Sequence, residues 1–264
     1  MRDVLRKAAR ISGLSALATA GVTLAILACG TRPSLPPGPT PSDYSEAQAA
    51  WGRVLETRVD DRGRVDFAEL SKAPGDLEAF LRWVAVADER RMETLERLAF
   101  RINAYNALAM YGILRAGIPE NLDSLAAKVR FFVLPRYEVA GRRLSLYRFE
   151  NAVIRPEADA RIHAALNCMS GSCPRLPRDP FTAEALDEQL EREARLFYDD
   201  PRNVSVDHER KTIQLSKILR FYTRDFLSET SSLTAYVNRH RQETLPEDYR
   251  LEFIPYDWTV SQQR

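Results

Sequence analysis

The longest helical pattern in the sequence runs from Glu93 to Ala116, and its apolar residues lie on more than one face. A surface helix has a single apolar stripe, whereas a helix that is apolar on several sides is buried. The pattern therefore predicts a central helix around which the rest of the chain packs. Gly117 follows it directly and suits its C-terminal cap. The apolar positions are Leu95, Leu98, Ala99, Ile102, Tyr105, Leu108, Ala109, Tyr111 and Leu114.

The composition is that of an ordinary globular protein without an excess of charge. Of the 264 residues, 45% are hydrophobic and 28% are charged, which is enough for a sizeable buried core. The formal net charge is +1, whereas domains that bind nucleic acid through their surface charge are strongly basic. We therefore expect no nucleic-acid partner.

The first 28 residues have the organisation of a secretory signal peptide. A basic start is followed by an apolar run from Ile11 to Ala28, and Cys29 stands where this run ends. The segment Ile26–Gly30 resembles the lipobox of bacterial lipoproteins, in which the chain is cut before a cysteine that becomes lipid-modified. The resemblance implies a membrane anchor through a lipid on Cys29. Because Gly30 rather than Asp follows, it implies the periplasmic face of the outer membrane. The alternative is an uncleaved anchor helix.

A proline-rich segment follows the predicted signal peptide. Residues 31–42 contain five prolines and one glycine, a composition that excludes a helix or a central strand. We therefore predict a semi-extended tether over residues 29–42. The sequence beyond it has no internal repeat and no second linker, so residues 43–264 are predicted to form one domain.

Hydrophobic periodicity predicts several amphipathic helices and short strands besides the central helix. The pattern indicates one compact α+β domain with a small, mostly antiparallel sheet. Ser42 is the predicted N-cap of the first helix. The other helices are predicted at residues 42–59, 74–84, 147–154, 182–198, 216–226 and 232–240. Strands are predicted at residues 131–134, 137–140, 143–146, 159–167, 203–206, 212–215 and 250–254.

Several segments together resemble the family called domain of unknown function 547. They occur in the family's order between residues 95 and 260. The resemblance implies one folded unit and indicates where its site lies, but the family brings no established reaction. The family often has a tryptophan-type residue where Arg101 stands, which predicts that this edge of the central helix is more exposed here. The matching pieces are Arg101–Leu108, Leu144–Leu146, Phe149–Asn151, Asp159–Leu176, Leu215–Leu219, Tyr222–Phe226 and Tyr256–Trp258.

The stretch from Arg161 to Pro177, RIHAALNCMSGSCPRLP, places two cysteines and a histidine close together in sequence. If residues 159–167 form a strand, side chains alternate between its faces, and His163 points away from Cys168. Cys168 is then predicted to be a small buried hydrophobic residue. Cys173 follows a Ser-Gly-Ser turn, so we expect it to be exposed, and a nearby histidine would favour its thiolate.

Cys173 is the candidate nucleophile of a thiol enzyme. Nucleophilic catalysis requires a thiol, a base within hydrogen-bond reach and a group that orients the base. His163 is the candidate base, and Glu150 or Asp257 is the candidate orienting carboxylate. This set predicts a hydrolase or acyl-transferase that acts on a peptide or an amide.

Four polar residues are candidates for a binding pocket: Asn103, Asn106, Tyr256 and Asp257. The two asparagines stand three residues apart on the central helix, where an amide could stabilise an oxyanion. Buried amides more commonly bind backbone groups, so a structural role is the alternative. Tyr256 and Asp257 could cover the pocket, or Asp257 could simply pair with an arginine while Trp258 anchors the core.

Three other interpretations of Cys168 and Cys173 stay open. With Cys29 lipidated, exactly two cysteines remain in an oxidising compartment, which favours a disulfide between them. Both thiols could instead be reduced and structural. With His163 they could bind zinc, although a fourth ligand is not evident.

The sequence thus leaves two functions in competition, and whether the protein is an enzyme stays open. One is the cysteine-dependent hydrolase or acyl-transferase. The other is a non-catalytic binding or scaffold domain of the cell envelope, with a Cys168–Cys173 disulfide. We expect no cofactor and no metal, and a peptide or an envelope protein as the partner.

Overall fold

The computed structural model describes residues 34–263. The predicted signal peptide and the predicted lipidation site Cys29 lie outside these residues. The α-helices are α1 (Tyr44–Arg58), α2 (Phe67–Lys72), α3 (Gly75–Val86), α4 (Thr94–Arg115), α5 (Leu125–Lys128), α6 (Leu146–Phe149), α7 (Leu186–Asp199), α8 (Lys217–Phe221), α9 (Thr223–Leu227) and α10 (Leu233–Asn238). The strands are β1 (Tyr137–Val139), β2 (Arg142–Leu144), β3 (Val204–Asp207), β4 (Thr212–Ser216) and β5 (Arg250–Ile254).

Helix α4 is the central element, as its sequence predicts. Every residue from Ala99 to Ile113 is buried, so the helix is covered on all sides over four turns. The predicted exposure of Arg101 is wrong, because its side chain is buried and paired with two carboxylates. Its guanidinium lies 2.8 Å from Glu89 and 2.6 Å from Glu157. These partners compensate the charge that burial would otherwise leave isolated.

The strands form two small sheets. β1 and β2 are an antiparallel hairpin, and β3 and β4 form a second antiparallel pair. β5 joins the edge of β4 in parallel. Together with the helices they confirm the predicted α+β class.

Two predicted strands are wrong, because each folds as a short helical turn. Residues 131–134 belong to the π-helical turn Val129–Val133 and its end, in which Phe131 and Phe132 are both buried. A strand with one buried face would have exposed one of these two neighbours. Residues 159–167 contain a 3₁₀ turn, Ala160–Ala164, which begins because the Asp159 side chain accepts a hydrogen bond from the Arg161 N–H.

The described part of the proline-rich segment lies on the surface of the domain. Leu35 packs against the core. The Arg82 side chain on α3 donates to the carbonyl oxygens of Pro36 and Pro39 at 3.0 and 2.8 Å. The first helix begins just after it, with Asp43 rather than Ser42 as the N-cap. None of the helices within residues 34–263 is both long and apolar enough to cross a membrane.

The buried side chains form two clusters, and the cysteine-bearing stretch lies between them. One cluster surrounds α4 and includes Cys168 and Cys173. The other packs α7 and α10 against the three-stranded sheet and includes Ala160 and Ala164. The chain therefore passes from one cluster to the other over residues 160–176, and the candidate site lies where the two meet.

Candidate active site

Two asparagines tie down the loop that carries both cysteines. Asn106 of α4 donates to the Ala165 carbonyl at 3.0 Å and accepts from the Asn167 N–H at 2.8 Å. Asn167 in turn donates to the Pro174 carbonyl at 2.7 Å and accepts from the Met169 N–H at 2.6 Å. Met169 has a φ of +65°, a conformation that is costly for a residue with a side chain. These bonds close the loop and bring its two ends together.

Loop closure brings the sulfur atoms of Cys168 and Cys173 into contact. Both cysteines are free thiols, and their Sγ atoms are 2.7 Å apart. The backbone N–H of Cys168 also donates to the Cys173 Sγ at 3.0 Å. The predicted exposure of Cys173 is wrong, since both residues are buried with 9% of their surface accessible.

Two hydroxyl groups complete this cysteine cluster, which consists of Cys168, Cys173, Ser170 and Tyr256. The Ser170 Oγ lies 3.1 Å from the Cys168 Sγ and 3.4 Å from the Cys173 Sγ. The Tyr256 hydroxyl lies 3.0 Å from the Ser170 Oγ, 3.4 Å from the Cys173 Sγ and 3.6 Å from the Cys168 Sγ. The tyrosine comes from the segment after β5, far from the cysteines in sequence.

The hydrogen bonds within the cysteine cluster make the two thiols unequal. Burial by itself would raise the pKa of Cys173, but hydrogen bonds with Cys168, Ser170 and Tyr256 outweigh it and lower this pKa to about 6. The hydrogen bond to Cys173, together with burial, raises the pKa of Cys168 well above its usual range. These opposite shifts favour one proton shared by the pair, with the negative charge on Cys173.

Cys173 borders a surface cleft of about 640 Å³. Cys168 is not among the lining residues, so a ligand in the cleft meets Cys173 first. The lining carries four arginines and four carboxylates, and this balance suits a polar ligand. These charged residues are Asp61, Arg62, Arg64, Arg175, Glu193, Asp200, Arg202 and Asp257.

The predicted base, His163, has a different partner from the one expected. Its Nε2 lies 2.9 Å from Asp225 Oδ2, and its ring stacks on Tyr222 with centroids 4.0 Å apart. Arg155 binds the same carboxylate at 2.7 Å. Burial lowers the pKa of His163, although Asp225 opposes this effect. Within residues 34–263, no histidine is hydrogen-bonded to Cys173.

The predicted orienting carboxylate, Glu150, is buried between two tyrosines. Its oxygens accept from the Tyr105 hydroxyl at 2.8 Å and from the Tyr222 hydroxyl. The structure therefore does not bring Cys173, His163 and Glu150 together as a catalytic set. The zinc alternative fails for the same reason, since His163 binds Asp225. In the described part of the chain, no group of three or more His, Cys, Asp or Glu side chains could hold a metal ion.

Of the four predicted binding residues, the two asparagines have structural roles, whereas Tyr256 and Asp257 lie beside the cysteines or the cleft. Asn103 accepts from the Phe181 N–H at 3.0 Å and donates to the Phe181 carbonyl at 2.7 Å. Its amide thus binds the Phe181 backbone and the Trp51 indole, that of Asn106 binds backbone groups, and neither asparagine lines the cleft. Tyr256 contacts both sulfurs, and Asp257 lines the cleft. A side chain on Gly171 would collide with the Asp257 carboxylate at 2.4 Å, so the glycine permits this close approach.

Sequence reasoning overlooked Ser170, Tyr222 and Asp225 as partners of the candidate residues. Tyr222 and Asp225 follow the capping serine of α8, in a stretch that the periodicity identifies only as helix. A tyrosine and an aspartate near the end of an otherwise apolar helical pattern are a weak signal of buried polar contacts.

Comparison with known proteins gives one match. No curated protein and no solved structure matches the chain. The family model described as "Protein of unknown function, DUF547" matches residues 90–198. This range includes both cysteines, His163 and Glu150, whereas Tyr256 lies beyond it. The chain therefore carries, over residues 90–198, a domain of the DUF547 family of proteins of unknown function.

Proposed function

We propose that this protein is a cysteine-dependent enzyme of the bacterial cell envelope that catalyses thiol–disulfide exchange. Cys173 is the nucleophile, and Cys168 is the second thiol that resolves the intermediate. One observation carries the proposal: a thiolate with a pKa of about 6 borders the cleft, and a second thiol lies 2.7 Å from it. Accessible low-pKa thiols next to a second cysteine are the usual arrangement of dithiol chemistry.

The reaction has two steps and needs no cofactor. The Cys173 thiolate attacks a substrate disulfide, a bond forms between Cys173 and one substrate sulfur, and the other substrate sulfur leaves as a thiolate. The sulfur of Cys168 then attacks Cys173, and the remaining substrate sulfur leaves and takes up the Cys168 proton. The substrate disulfide gains two electrons, and the protein is oxidised to a Cys168–Cys173 disulfide. The reverse sequence oxidises a substrate dithiol, and a second dithiol or disulfide protein restores the starting state.

Thiol–disulfide exchange fits the site better than amide hydrolysis or acyl transfer. Those reactions need a general base beside the thiol and donors for an oxyanion. The His163 ring is hydrogen-bonded to Asp225 and not to Cys173. The amides of Asn103 and Asn106 are hydrogen-bonded to backbone groups. Disulfide exchange instead needs a thiolate and a neighbouring thiol, and the cysteine cluster has both.

A second candidate function is a non-catalytic binding or scaffold domain. It is favoured by the burial of both sulfurs, since a disulfide formed between them would be shielded from reductants. In that case the bond would hold the loop in place, and removing it would destabilise the domain by roughly 2–4 kcal/mol.

The proposed location in the cell envelope rests on the first 30 residues. The signal-like start, the apolar run and Cys29 are consistent with a lipid anchor in the membrane, on the periplasmic face of the outer membrane. The periplasm is kept oxidising, so a dithiol enzyme there meets both disulfide and dithiol partners. Its partner is then an envelope protein or peptide that carries cysteine.

The test is to trap the mixed disulfide with oxidised glutathione. The reduced Cys168→Ser variant should accumulate one glutathione on Cys173, since the serine cannot resolve the intermediate. The wild-type protein should instead release two glutathione molecules and finish as an internal disulfide. Cys173→Ser should react far more slowly than either, because the remaining thiol is buried and has a raised pKa.

Two results would overturn the proposal. One is equal reaction of Cys173→Ser and wild type. The other is an internal disulfide that millimolar glutathione does not reduce and whose chemical reduction lowers stability by roughly 2–4 kcal/mol, which would support the structural role.

A further inference from the structure

The second step of the proposed reaction requires a proton to leave a poorly acidic thiol. Cys168 must lose its proton to attack the mixed disulfide. In the reduced protein the hydrogen bond with Cys173 and burial both raise its pKa, and the effect of burial persists in the mixed disulfide. In the described part of the chain, no histidine, carboxylate or amine is hydrogen-bonded to its sulfur. Its Sγ contacts are the Cys173 Sγ and two hydroxyl groups, at 3.1 Å for Ser170 and 3.6 Å for Tyr256.

We propose that the hydroxyls of Ser170 and Tyr256 form a proton relay from Cys168 to the leaving sulfur of the substrate. This inference rests on the proposed exchange reaction and assigns the groups that move its proton. Each hydroxyl has one donor hydrogen and two acceptor lone pairs, so each can accept a proton on one side while it gives one up on the other.

The distances form an unbroken path from the Cys168 sulfur to the Tyr256 hydroxyl. From the Cys168 Sγ to the Ser170 Oγ is 3.1 Å, and from there to the Tyr256 hydroxyl is 3.0 Å. The tyrosine hydroxyl lies 3.4 Å from the Cys173 Sγ. In the mixed disulfide the substrate sulfur is bonded to this same Sγ at about 2.05 Å, on the side away from the attacking Cys168. With the three sulfurs in line, the leaving atom lies about 4.5 Å from the Tyr256 hydroxyl, so the last transfer requires a small movement of the tyrosine or the substrate.

The protons and electrons of this step balance. The Cys168 S–H gives its proton to the Ser170 oxygen, Ser170 gives its own proton to Tyr256, and Tyr256 gives its own to the leaving sulfur. As the proton departs, the Cys168 electron pair forms the bond to the Cys173 Sγ. The bond between Cys173 and the substrate sulfur breaks, and its electron pair stays on the leaving sulfur, which becomes a neutral thiol. Both hydroxyls end the step as they began.

Surrounding contacts hold both relay hydroxyls in position. The Ser170 carbonyl accepts from the Cys173 N–H at 2.9 Å, and the residue forms a β-bridge with Val260. The Tyr256 ring packs between Trp258 and Phe221, with centroid distances of 4.3 and 5.5 Å. Burial, together with the charges of the two cysteines, keeps the pKa of Tyr256 far above neutral. The tyrosine therefore enters the step protonated.

The buried carboxylate of Glu150 is not an alternative base. Glu150 uses its oxygens to accept from Tyr105 and Tyr222. Its contacts are with those phenols, whereas the contacts of the Cys168 sulfur are with Cys173, Ser170 and Tyr256.

The experiment measures the lifetime of the mixed disulfide in a single turnover with oxidised glutathione. Reduced Ser170→Ala and Tyr256→Phe are compared with wild type by rapid quenching and mass spectrometry. Positioned proton transfer contributes roughly 10²–10⁴-fold, so each variant should resolve at least tenfold more slowly at pH 7. The controls are Ser205→Ala and Tyr249→Phe, which remove surface hydroxyls on and near the three-stranded sheet.

A pH profile separates a relay from general damage to the loop. Without the relay, resolution depends on spontaneous ionisation of Cys168, so its rate should rise about tenfold per pH unit below the pKa of that thiol. The wild-type rate should rise less steeply. Tyr256 also stabilises the Cys173 thiolate, which attacks in the first step. For Tyr256→Phe, therefore, only the rate of the second step is compared with that of wild type. If Ser170→Ala does not fold, Tyr256→Phe decides the question alone.

The possible failures are distinguishable. Variants that resolve as fast as wild type between pH 6 and 9 would overturn the relay and leave the exchange reaction intact. Absence of any mixed disulfide in Cys168→Ser would overturn the exchange reaction itself.

Discussion

Arg175 and Glu193 form a bidentate ion pair that joins the cysteine loop to α7. Two guanidinium nitrogens of Arg175 lie 2.8 and 2.7 Å from the two oxygens of Glu193. The glutamate is buried with 1% of its surface exposed, whereas the arginine lies at the cleft. Arg175 stands two residues after Cys173, so the position of this cysteine depends on a charge buried in another element.

Arg175→Ala should lower the free energy of unfolding more than the loss of an exposed ion pair would. It removes two hydrogen bonds from a buried carboxylate, although Arg192 still donates to that carboxylate at 2.9 Å. The expected loss in the free energy of unfolding is about 1.5–3 kcal/mol, measured by urea denaturation. Arg202→Ala, which breaks an exposed pair with Asp200, is the control and should cost less than about 1 kcal/mol. Equal losses in the two variants would contradict this account.

Cys168→Ala should raise the pKa of Cys173. The substitution removes the S–H group whose hydrogen bond helps to lower this pKa to about 6. Ser170 and Tyr256 remain, so the new pKa should stay below the ordinary value of 9.0. The measurement is the rate of alkylation by iodoacetamide against pH, with Tyr249→Phe as control. An unchanged midpoint would show that Cys168 does not stabilise the thiolate.

The contribution of His163 to stability should fall as the pH drops below about 6.5, in addition to the loss that the lowered pKa of Cys173 causes as the pH falls from 9.0 to about 6 in wild type and variant alike. Burial holds the pKa of His163 below its ordinary value of 6.5, so the unfolded chain takes up a proton before the folded protein does. The cost is at most about 1.4 kcal/mol per pH unit. Asp225 has a lowered pKa, and its contribution is lost only as the pH falls below its ordinary value of 3.8. Urea denaturation at pH 8, 6 and 5 should show the loss in wild type, with a smaller loss in His163→Gln.

The described part of the proline-rich segment should resist proteases. Arg82 donates to two of its carbonyl oxygens, and bound segments are poor protease substrates. Limited proteolysis of wild type should therefore give no early cut within residues 34–42. Arg82→Ala should introduce one, whereas Arg90→Ala, a surface arginine paired only with Asp88, should not. An early cut within residues 34–42 of wild type would instead support the semi-extended tether that the composition predicts.

Cys29→Ser should abolish lipid labelling if the proposed anchor is correct. A cysteine thiol is the attachment point in the lipobox, and serine cannot replace it. Labelling with a fatty-acid analogue, followed by detergent partitioning, measures the change. Cys173→Ser keeps Cys29 and should label normally. Equal labelling of Cys29→Ser and wild type would refute the anchor.

The elements that the sequence predicts correctly are those with a strong local signal. The central helix follows from apolar residues on several faces, and the two hairpins follow from alternation interrupted by turns. The sequence also indicates residues 161–177 as a candidate site, because two cysteines and a histidine stand close together there. These signals depend on residues that are neighbours in the chain.

The errors arise where distant residues decide the conformation. The Asp159 cap converts an alternating pattern into a 3₁₀ turn. His163 binds Asp225, which lies 62 residues away, so sequence proximity to Cys173 was a poor guide to its partner. Tyr256 lies 83 residues after Cys173, and only the folded chain brings its hydroxyl to the sulfur. Spacing along the chain therefore indicated a candidate segment but not the partners of its side chains.

The backbone N–H of Cys168, which points at the Cys173 sulfur, has a consequence for mutational robustness. The hydroxyls of Ser170 and Tyr256, by contrast, are side-chain partners of the sulfurs that a single substitution can delete. The N–H donor belongs to the main chain, and it persists with any residue except proline at position 168. One hydrogen bond to the Cys173 sulfur is therefore set by the path of the loop. A redesigned protein that keeps this loop geometry should retain a reactive thiolate even after its hydroxyl partners are exchanged.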